Sequence, residues 1–190
     1  MQNGISLSSA GVDEAGRGAL AGPVVAAAVI LDLALPSEIF KDSKVLSARK
    51  REILFEKLCN SKSVIGVGFV SEGRIDQINI LQATMKAMTK AIWNLRQKPD
   101  EVLIDGNRCP DLPGYSLRAI VDGDAKVPCI SAASIVAKVL RDRFMKRLGL
   151  RYPNYHLAIN KGYGTKAHRE AIFLHGKSPV HRRTFRAVFP

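Results

Sequence analysis

Residues 11–31 read GVDEAGRGALAGPVVAAAVIL, and this stretch decides which fold the sequence predicts. Gly11 and Val12, which precede the acidic pair, and the unbroken apolar run 24–31 indicate two strands. The turn between them contains three glycines, which adopt backbone angles that other residues resist. We therefore expect the adjacent carboxylates Asp13 and Glu14 at the end of the first strand.

Neighbouring strand residues point to opposite faces, so Asp13 and Glu14 serve one site only if the chain twists or bends there. Gly16 and Gly18 make such a bend easy. An Asp-Glu pair before a glycine turn is also typical of a solvated surface corner. The rest of the chain must therefore decide whether the pair belongs to a functional site.

The composition is that of one globular domain, or of one domain with a small appendage. The chain has 190 residues, 46% of them hydrophobic and 24% charged. No apolar run approaches the roughly 20 residues that span a bilayer, and the N-terminus does not resemble a secretory signal. Three widely spaced cysteines without zinc-site spacing predict free thiols in a reducing compartment. We expect a cytoplasmic protein.

The net charge of +12 is concentrated near the C-terminus. From residue 138 onward there are 13 Lys and Arg against two acidic residues, whereas residues 1–137 carry 16 basic and 15 acidic residues. A polyanion lying on one side of the molecule accounts for this asymmetry, because neutralised phosphates release counterions. A merely basic surface is the alternative.

Further carboxylates follow apolar runs. The segment 101–105, EVLID, predicts a short strand ending in Asp105-Gly106, and a strand over 116–121 leads into Asp122 and Asp124. Ligands of open α/β sheets gather outside strand ends. Asp-Gly pairs also simply form turns, so spacing alone does not decide between Asp122 and Asp124.

The remaining pattern predicts one more strand and four helices. The strand covers 64–70, where two glycines indicate close approach of another element. Ser47, Ser131 and Thr165 are candidate N-caps. The predicted helices cover 48–59, 78–97, 131–148 and a short segment from Thr165 to near Gly176.

The helix over 131–148 carries a basic face that we interpret as a candidate surface for backbone phosphates. Asp142 is either a site carboxylate or a partner, four residues away, of Lys138 or Lys146. The tail adds further arginines. The basic residues are Lys138, Arg141, Arg143, Lys146 and Arg147 on the helix, and Arg182, Arg183 and Arg186 in the tail.

The segment 161–165, KGYGT, places Tyr163 between two glycines, with no obvious core to fill. An aromatic residue on such a tip is suited to stacking on a base or a sugar. The loop around 149–164 is the candidate boundary within the chain. We predict a catalytic α/β core over 1–148 and a basic C-terminal helical extension over 149–190, packed together as one structural unit.

The collected strand-end carboxylates indicate a metal site. Asp13, Glu14, Asp105 and one or both of Asp122 and Asp124 repel one another unless hard cations bind among them. Oxygen ligands suit Mg²⁺ or Mn²⁺, and two such ions about 3.5 to 4 Å apart promote phosphodiester hydrolysis. The basic flank then holds the nucleic acid that the acidic site cuts.

The chain contains, in this order, the motifs DEAGRG with GPVVAAAVIL, DSK, LIDG, GDAKVPCISAASIVAKVLRD and KGYGT. Together, from about 11 to 186, they resemble bacterial ribonuclease HII, the type 2 ribonuclease H. The resemblance implies a ribonuclease H-like mixed β-sheet flanked by helices. It also implies metal-dependent cleavage of RNA in RNA-DNA hybrids, and cleavage 5′ to single ribonucleotides in duplex DNA, leaving a 3′-hydroxyl and a 5′-phosphate.

The resemblance also assigns roles to residues. It selects Asp124 over Asp122 and Asp142 as the fourth metal ligand. It implies that the Gly-Arg-Gly turn reads the ribose 2′-hydroxyl while Tyr163 stacks on the adjacent deoxyribose. Lys44 is a further candidate for a phosphate. The implied metal ligands are Asp13, Glu14, Asp105 and Asp124, and the implied substrate residues are Gly16, Arg17, Gly18 and Tyr163.

Two other functions compete with the ribonuclease hypothesis. The competitors are a non-catalytic basic nucleic-acid-binding module and a dinucleotide enzyme that uses the glycine turn. A phosphate-binding glycine turn of the latter kind opens a helix, whereas here an apolar β-rich run follows.

The sequence departs from the family pattern at Asp122, where many relatives have a basic residue. We expect a monomer, because no helix shows a surplus apolar face.

Overall fold

The computed structural model describes residues 8–40 and 46–186, and this part of the chain is built on one mixed β-sheet. The strand order is β3-β2-β1-β4-β5. Strand β2 runs antiparallel to β1 and β3, and β4 runs parallel to β1 and β5. The predicted mixed α/β sheet is confirmed. The strands are β1 Ala10–Ala15, β2 Val24–Ile30, β3 Val64–Val70, β4 Val102–Asp105 and β5 Leu117–Ile120.

Helices cover both faces of the sheet and continue into the C-terminal part. Short 3-10 helices at Ser37–Phe40 and Pro153–Tyr155 complete the described elements. The α-helices are α1 Ala48–Cys59, α2 Glu72–Trp93, α3 Gly123–Lys126, α4 Pro128–Arg151, α5 Leu157–Asn160 and α6 Lys166–His175.

Alternate residues of the central strands enter two hydrophobic layers. Ala26 and Ala28 of β2 pack in a layer with α2, while Ala27 and Val29 pack in a layer with α1 and α4. Both layers are fully buried at these positions. A continuous apolar strand is what a sheet covered on both faces requires.

Helix α2 lies close to β3 because β3 carries glycines there. A Cβ atom at Gly66 would lie 2.1 Å from the carbonyl oxygen of Ala91, and one at Gly68 would lie 2.0 Å from that of Ala87. The predicted close approach of another element to 64–70 is confirmed. Helix α2 itself begins at Glu72, earlier than the predicted 78, and ends at Trp93, earlier than 97.

The early start of α2 is explained by a break that the periodicity does not reveal. Asn79 is non-helical, with φ 65° and ψ 166°, and its side-chain oxygen accepts the amide of Gln82 at 3.0 Å. A polar side chain that accepts an amide three residues ahead is an N-cap contact. The predicted helix corresponds to the segment after this cap, and a further helical segment precedes it.

Two of the three predicted caps are confirmed. Ser47 accepts the amide of Lys50, and Thr165 accepts that of His168. The prediction for Ser131 is wrong, because α4 begins earlier, with Pro128 in its first turn. Proline suits that position since it lacks an N–H that would have no partner there. The buried Ser131 hydroxyl instead donates to the carbonyl of Phe40.

Two expectations from composition concern the described residues directly. Cys59, Cys109 and Cys129 are free thiols, as predicted. Within 8–40 and 46–186, none of the helices has both the length and the apolar character needed to cross a membrane.

Candidate active site

The parallel pairing of β1 with β4 brings two of the predicted carboxylates to the same edge of the sheet. Val12 pairs with Ile104, so the next residues along the two strands are Asp13 and Asp105. Asp13 is only 6% exposed. The carboxyl ends of parallel strands form the edge at which α/β proteins bind ligands.

Asp13 and Glu14 share the α4 side of the strand end, and Glu14 also reaches the α2 side. Asp13 lies on the α4 side, where the Ser134 hydroxyl donates to it. Glu14 lines a cleft together with Met85 and Met88 of α2. The amide of Glu14 donates to Asp13 Oδ1 at 2.6 Å, and both carboxylates interact with the charge of Asp105. The three therefore form one electrostatic unit.

Burial and like charge make this unit costly when it is ionised. Desolvation raises the pKa of Asp13 well above its usual value, and the charges of Glu14 and Asp105 raise it further. Burial also raises the pKa of Glu14, although the Arg17 guanidinium opposes this shift. Arg17 Nη1 donates to Glu14 Oε1 at 3.2 Å. Strongly perturbed carboxylates at a strand edge are typical of a functional site.

The structure places Asp124 beside Asp105 and Asp122 at the surface. Asp105 Oδ1 accepts the amides of Gly123 at 2.7 Å and of Asp124 at 3.3 Å. Asp124 is 2% exposed, whereas Asp122 is exposed and adopts a left-handed conformation with φ 54°. Asn and Asp adopt that conformation more readily than most residues, which accounts for a turn role for Asp122.

The chemistry of these donors fits a hard divalent cation. All of the candidate ligands are carboxylate oxygens, the ligand type that Mg²⁺ and Mn²⁺ prefer. Burial, and to a lesser extent repulsion between the carboxylates, raises the pKa values of Asp13 and Glu14, and a bound cation would offset both effects. Among the residues that the structure describes, no three His, Cys, Asp or Glu side chains are already arranged as a metal-binding group.

Two clefts meet at this carboxylate unit. One, of about 400 Å³, is lined by the turn residues Gly16, Arg17 and Gly18 and by Tyr163. The other, of about 290 Å³, is lined by residues including Asp105 and Asn107. Glu14 and Arg17 line both clefts. Four of the residues predicted to contact substrate, Gly16, Arg17, Gly18 and Tyr163, thus line clefts that adjoin two of the residues predicted to hold metal. Those two are Glu14 and Asp105.

The turn between β1 and β2 is fixed by two buried arginines. Arg141 donates to the carbonyl oxygens of Pro23 at 3.0 Å and Lys161 at 2.9 Å. It also fills the space beside Gly16, whose φ is +95° and where a Cβ atom would lie 1.9 Å from Arg141 Nε. Arg182 donates to the carbonyl oxygens of Gly16 and Arg17 at 2.7 and 2.8 Å.

The prediction that Arg141 and Arg182 belong to an exposed basic surface is therefore wrong, since both are 0% exposed. Arg141 lies four residues after Ala137 and four before Met145, both buried, so it belongs to the inward stripe of α4. That spacing was the available signal in the sequence. Backbone carbonyls satisfy the guanidinium donors, and this makes burial of the charge tolerable.

Other predicted basic residues remain accessible. Lys138 pairs with Asp142 at 2.8 Å, which confirms the partner interpretation of Asp142. Lys138 and Arg51 line the cleft that contains Tyr163. Lys44 lies outside the residues that the structure describes.

The site also contains polar residues that sequence reasoning missed. Ser134 contacts Asp13, and His168 and His181 form a buried pair behind Tyr163. Ser134 falls within a helix of small residues, and each histidine stands alone in the sequence. No local pattern distinguishes them, because their partners are remote in the chain.

Solved structures with the same architecture identify the class of protein. Ribonuclease H2 from Pyrococcus horikoshii superposes with a TM-score of 0.77 at 30% identity, covering 95% of this chain and 94% of that one. The RNase HII in a PCNA complex from Archaeoglobus fulgidus gives 0.78 at 28% identity, over 94% and 95% of the two chains. Bst-RNase HIII in complex with Mn²⁺ gives 0.79 at 19% identity, over 96% and 68%, a similarity of fold alone. The fold is that of the ribonucleases H.

The family follows from sequence comparison. The model of the family Ribonuclease HII matches residues 10–189. Ribonuclease HII of Coxiella burnetii is 54% identical over 183 residues, which are 96% of this chain and 90% of that protein. Ribonuclease HII of Shewanella loihica is 53% identical, over 94% and 87%. The chain belongs to the ribonuclease HII family.

Membership settles the broad activity. The enzyme is a ribonuclease H, an endonuclease acting on RNA-DNA hybrids, and divalent-metal dependence is general in its family. The non-catalytic binding module is thereby set aside. The dinucleotide alternative fails on structure as well, because the glycine turn leads into strand β2 rather than into a helix.

Proposed function

We propose that the enzyme cleaves 5′ to single ribonucleotides embedded in duplex DNA, as well as within hybrids, and leaves 3′-hydroxyl and 5′-phosphate ends. The observation that carries this proposal is the meeting of two clefts at Glu14 and Arg17. One cleft contains the glycine turn and Tyr163, and the other contains Asp105. Recognition of a ribose and hydrolysis of its neighbouring phosphodiester then take place side by side.

In this proposal Asp13, Glu14, Asp105 and Asp124 hold two Mg²⁺ or Mn²⁺ ions. When bound, such ions activate water and stabilise the leaving oxygen of the phosphodiester. The pKa of Asp13, raised by burial and by neighbouring carboxylates, supports the assignment because a cation would offset both effects. The amides of Gly123 and Asp124 orient Asp105 by binding one of its oxygens.

The turn Gly16–Arg17–Gly18 is proposed to read the 2′-hydroxyl. Only that hydroxyl distinguishes a ribonucleotide from a deoxyribonucleotide at a given position. Gly18 is exposed, and a Cβ atom there would meet nothing within 4 Å, so the backbone is open to a close ligand. Tyr163, partly exposed in the same cleft, is proposed to stack on the adjacent deoxyribose.

Several broader assignments accompany this function. We propose that 1–148 is the catalytic core and that 149–190 is a basic extension packed on it, with helix α4 running through the boundary to Arg151. Lys44, Arg51 and Lys138 are proposed phosphate contacts. We also propose that the enzyme acts as a monomer in the cytoplasm, where its nucleic-acid substrates lie in bacteria.

The test is cleavage of a labelled DNA duplex containing one ribonucleotide, beside an all-DNA duplex and a continuous RNA-DNA hybrid, with Mg²⁺, Mn²⁺ or EDTA. We expect a metal-dependent cut on the 5′ side of the ribonucleotide and none in all-DNA. Cleavage of the hybrid alone would contradict the assigned ribonucleotide readers while leaving the metal site standing.

The assignment of Asp124 has its own matched control in Asp122. We expect Asp124→Asn to abolish cleavage and Asp122→Asn to leave it within about threefold, because an asparagine tolerates the left-handed conformation at 122. Equal losses for the two variants would contradict the choice of ligand. Circular dichroism would show that both variants are folded.

A further inference from the structure

Behind Tyr163 lies a buried chain of hydrogen bonds that passes through two histidines. The Ser178 amide donates to His181 Nδ1 at 3.0 Å, and the Nε2 atoms of His181 and His168 are 3.1 Å apart. At the other end, His168 Nδ1 lies 2.9 Å from the carbonyl oxygen of Tyr163. His168 is 0% exposed and His181 is 1% exposed.

The two ends of this chain fix every proton within it. A backbone amide only donates, so His181 Nδ1 accepts and the proton of His181 is on Nε2. That proton is donated to His168 Nε2, which leaves the proton of His168 on Nδ1. A carbonyl oxygen only accepts, so the opposite end independently requires the same Nδ1–H on His168. Both histidines are therefore neutral and hold opposite tautomers.

This arrangement excludes a second proton on either ring. A cationic His168 would place two N–H groups against each other across 3.1 Å, and a cationic His181 would place its Nδ1–H against the Ser178 amide across 3.0 Å. Burial lowers the pKa of both histidines, and for His181, where the charge of His168 adds to the effect, to about 4. The neutral pair consequently persists at neutral pH.

The same segment also binds the glycine turn. Arg182, the residue after His181, donates to the carbonyl oxygens of Gly16, Arg17 and Gly22. The amide of Arg182 donates to the carbonyl of Leu20 at 2.8 Å. Two consecutive residues thus connect both proposed ribonucleotide readers, Arg182 to the turn and His181, through His168, to Tyr163.

We propose that His168 and His181, in these opposite neutral tautomers, are positioning residues that hold Tyr163 beside the glycine turn for recognition of an embedded ribonucleotide. The inference rests on the proposed function. The Tyr163 ring is partly exposed and contacts the cations of Arg141 and Lys138, while hydrogen bonds to its carbonyl hold its backbone. The Tyr163 carbonyl accepts from Thr165 N and from His168, and losing His168 would loosen this attachment.

The test compares two substitutions at one position. His168→Asn carries an amide nitrogen where Nδ1 was and keeps a donor for Tyr163, whereas His168→Gln carries it where Nε2 was and loses that donor. We expect the Gln variant to lose about tenfold in kcat/KM on the single-ribonucleotide duplex, mainly through KM, since small displacements of a positioning group are costly. On the hybrid its loss should stay within about threefold. The Asn variant should stay near wild type on both substrates.

The ratio of the two activities separates positioning from mere destabilisation. A less stable enzyme loses active molecules and lowers both activities in proportion, which leaves their ratio unchanged. His175→Gln, an exposed histidine of the same helix, is the matched control and should leave the ratio unchanged. An unchanged ratio in the Gln variant of His168, with wild type active on both substrates, would overturn this inference alone. A wild type inactive on the single ribonucleotide would overturn the proposed function with it.

Nuclear magnetic resonance tests the tautomers without any substitution. The ¹⁵N shifts of the imidazoles in the intact enzyme at pH 7 should identify Nδ1–H for His168 and Nε2–H for His181. The opposite assignment for either ring, or a cationic ring, would overturn the inference even if no variant folds.

Discussion

Two groups of buried or partly buried ionisable residues lie close together in this enzyme and differ in the hydrogen bonds and charges around them. The carboxylate unit, Asp13, Glu14 and Asp105, combines burial with like charge, and the pKa values of Asp13 and Glu14 rise. The support cluster, which we define as His168, His181 and Arg182, is even less exposed than Glu14.

In the support cluster, however, every polar contact has a complementary partner. Arg182 binds three carbonyl oxygens, and each ring nitrogen of the two histidines has a hydrogen-bond partner. Burial lowers the pKa of Arg182 to about 9, with the charge of Arg141 adding to the effect, yet it remains a cation at neutral pH. The comparison teaches that crowded like charge marks the place for a ligand, while a satisfied network marks the structure that holds the site.

The largest expected effect comes from removing a charge of the carboxylate unit. Asp13→Asn should lower cleavage by at least about 1,000-fold, because metal-assisted stabilisation of the transition state supplies several kcal/mol. Its free energy of unfolding should rise, since an ionised Asp13 with a raised pKa destabilises the fold at neutral pH. Hybrid cleavage and urea unfolding measure the two effects.

The control for Asp13→Asn is Asp111→Asn, which changes an exposed carboxylate. It should alter neither activity nor stability appreciably. If Asp13→Asn destabilised the enzyme, the carboxylate unit would belong with the satisfied network, and the comparison would break.

A smaller effect is expected from the support cluster, and it should fall on stability. Arg182→Met removes three hydrogen bonds to a charged group, partly offset by removal of a desolvated charge. We expect a loss of about 2 to 4 kcal/mol in the free energy of unfolding, measured in urea. Arg183→Met, at the exposed neighbouring side chain, should change it by less than about 0.5 kcal/mol.

A larger loss of unfolding free energy in Arg182→Met than in Arg183→Met would support the contrast between the two regions. Equal losses for Arg182→Met and Arg183→Met would show that the buried guanidinium contributes nothing beyond an ordinary surface charge, contrary to its role in holding the turn.

The last prediction concerns how the free energy of unfolding changes with pH, an effect that is smallest at neutral pH. The folded-state pKa of His181 is about 4, below its usual 6.5, so the unfolded state binds the proton first as the pH falls. Stability from this group is complete above pH 6.5 and declines toward pH 4, by about 3 kcal/mol in all. Asp13 and Glu14 have the opposite sign, since their raised pKa values let the folded state take up protons earlier.

The pH dependence is isolated by urea unfolding of wild type and His181→Gln between pH 7 and pH 4. The decline should be shallower in the variant, because it lacks the titrating group while the carboxylates are unchanged. Parallel curves would contradict the neutral buried histidine.

Much of the fold was predictable because its signals are local. The apolar runs of β2 and β3 and the glycine turn after Glu14 define strands and their connection without knowledge of partners. The break at Asn79 and the start of α4 at Pro128 were missed, because tertiary packing and capping set helix ends as much as periodicity does.

The carboxylates were found in sequence because each lies at or shortly after the end of a strand, and parallel pairing of β1 with β4 makes strand ends neighbours in space. Arg141 and Arg182 were misplaced because charge predicts exposure unless the fold supplies carbonyls to bind it. No sequence pattern predicts which backbone carbonyl oxygens will lie beside a given arginine.

The sequence by itself determined the mixed sheet, the carboxylates at its strand ends, the basic C-terminal part and, through its motifs, the ribonuclease HII family. Only the tertiary structure decided that Asp124 is buried beside Asp105 while Asp122 is exposed. It alone paired His168 with His181 and directed two arginines inward. The physical reason is that strands and turns follow from short-range sterics and hydrophobic periodicity, whereas burial of a polar group depends on partners supplied from remote parts of the chain.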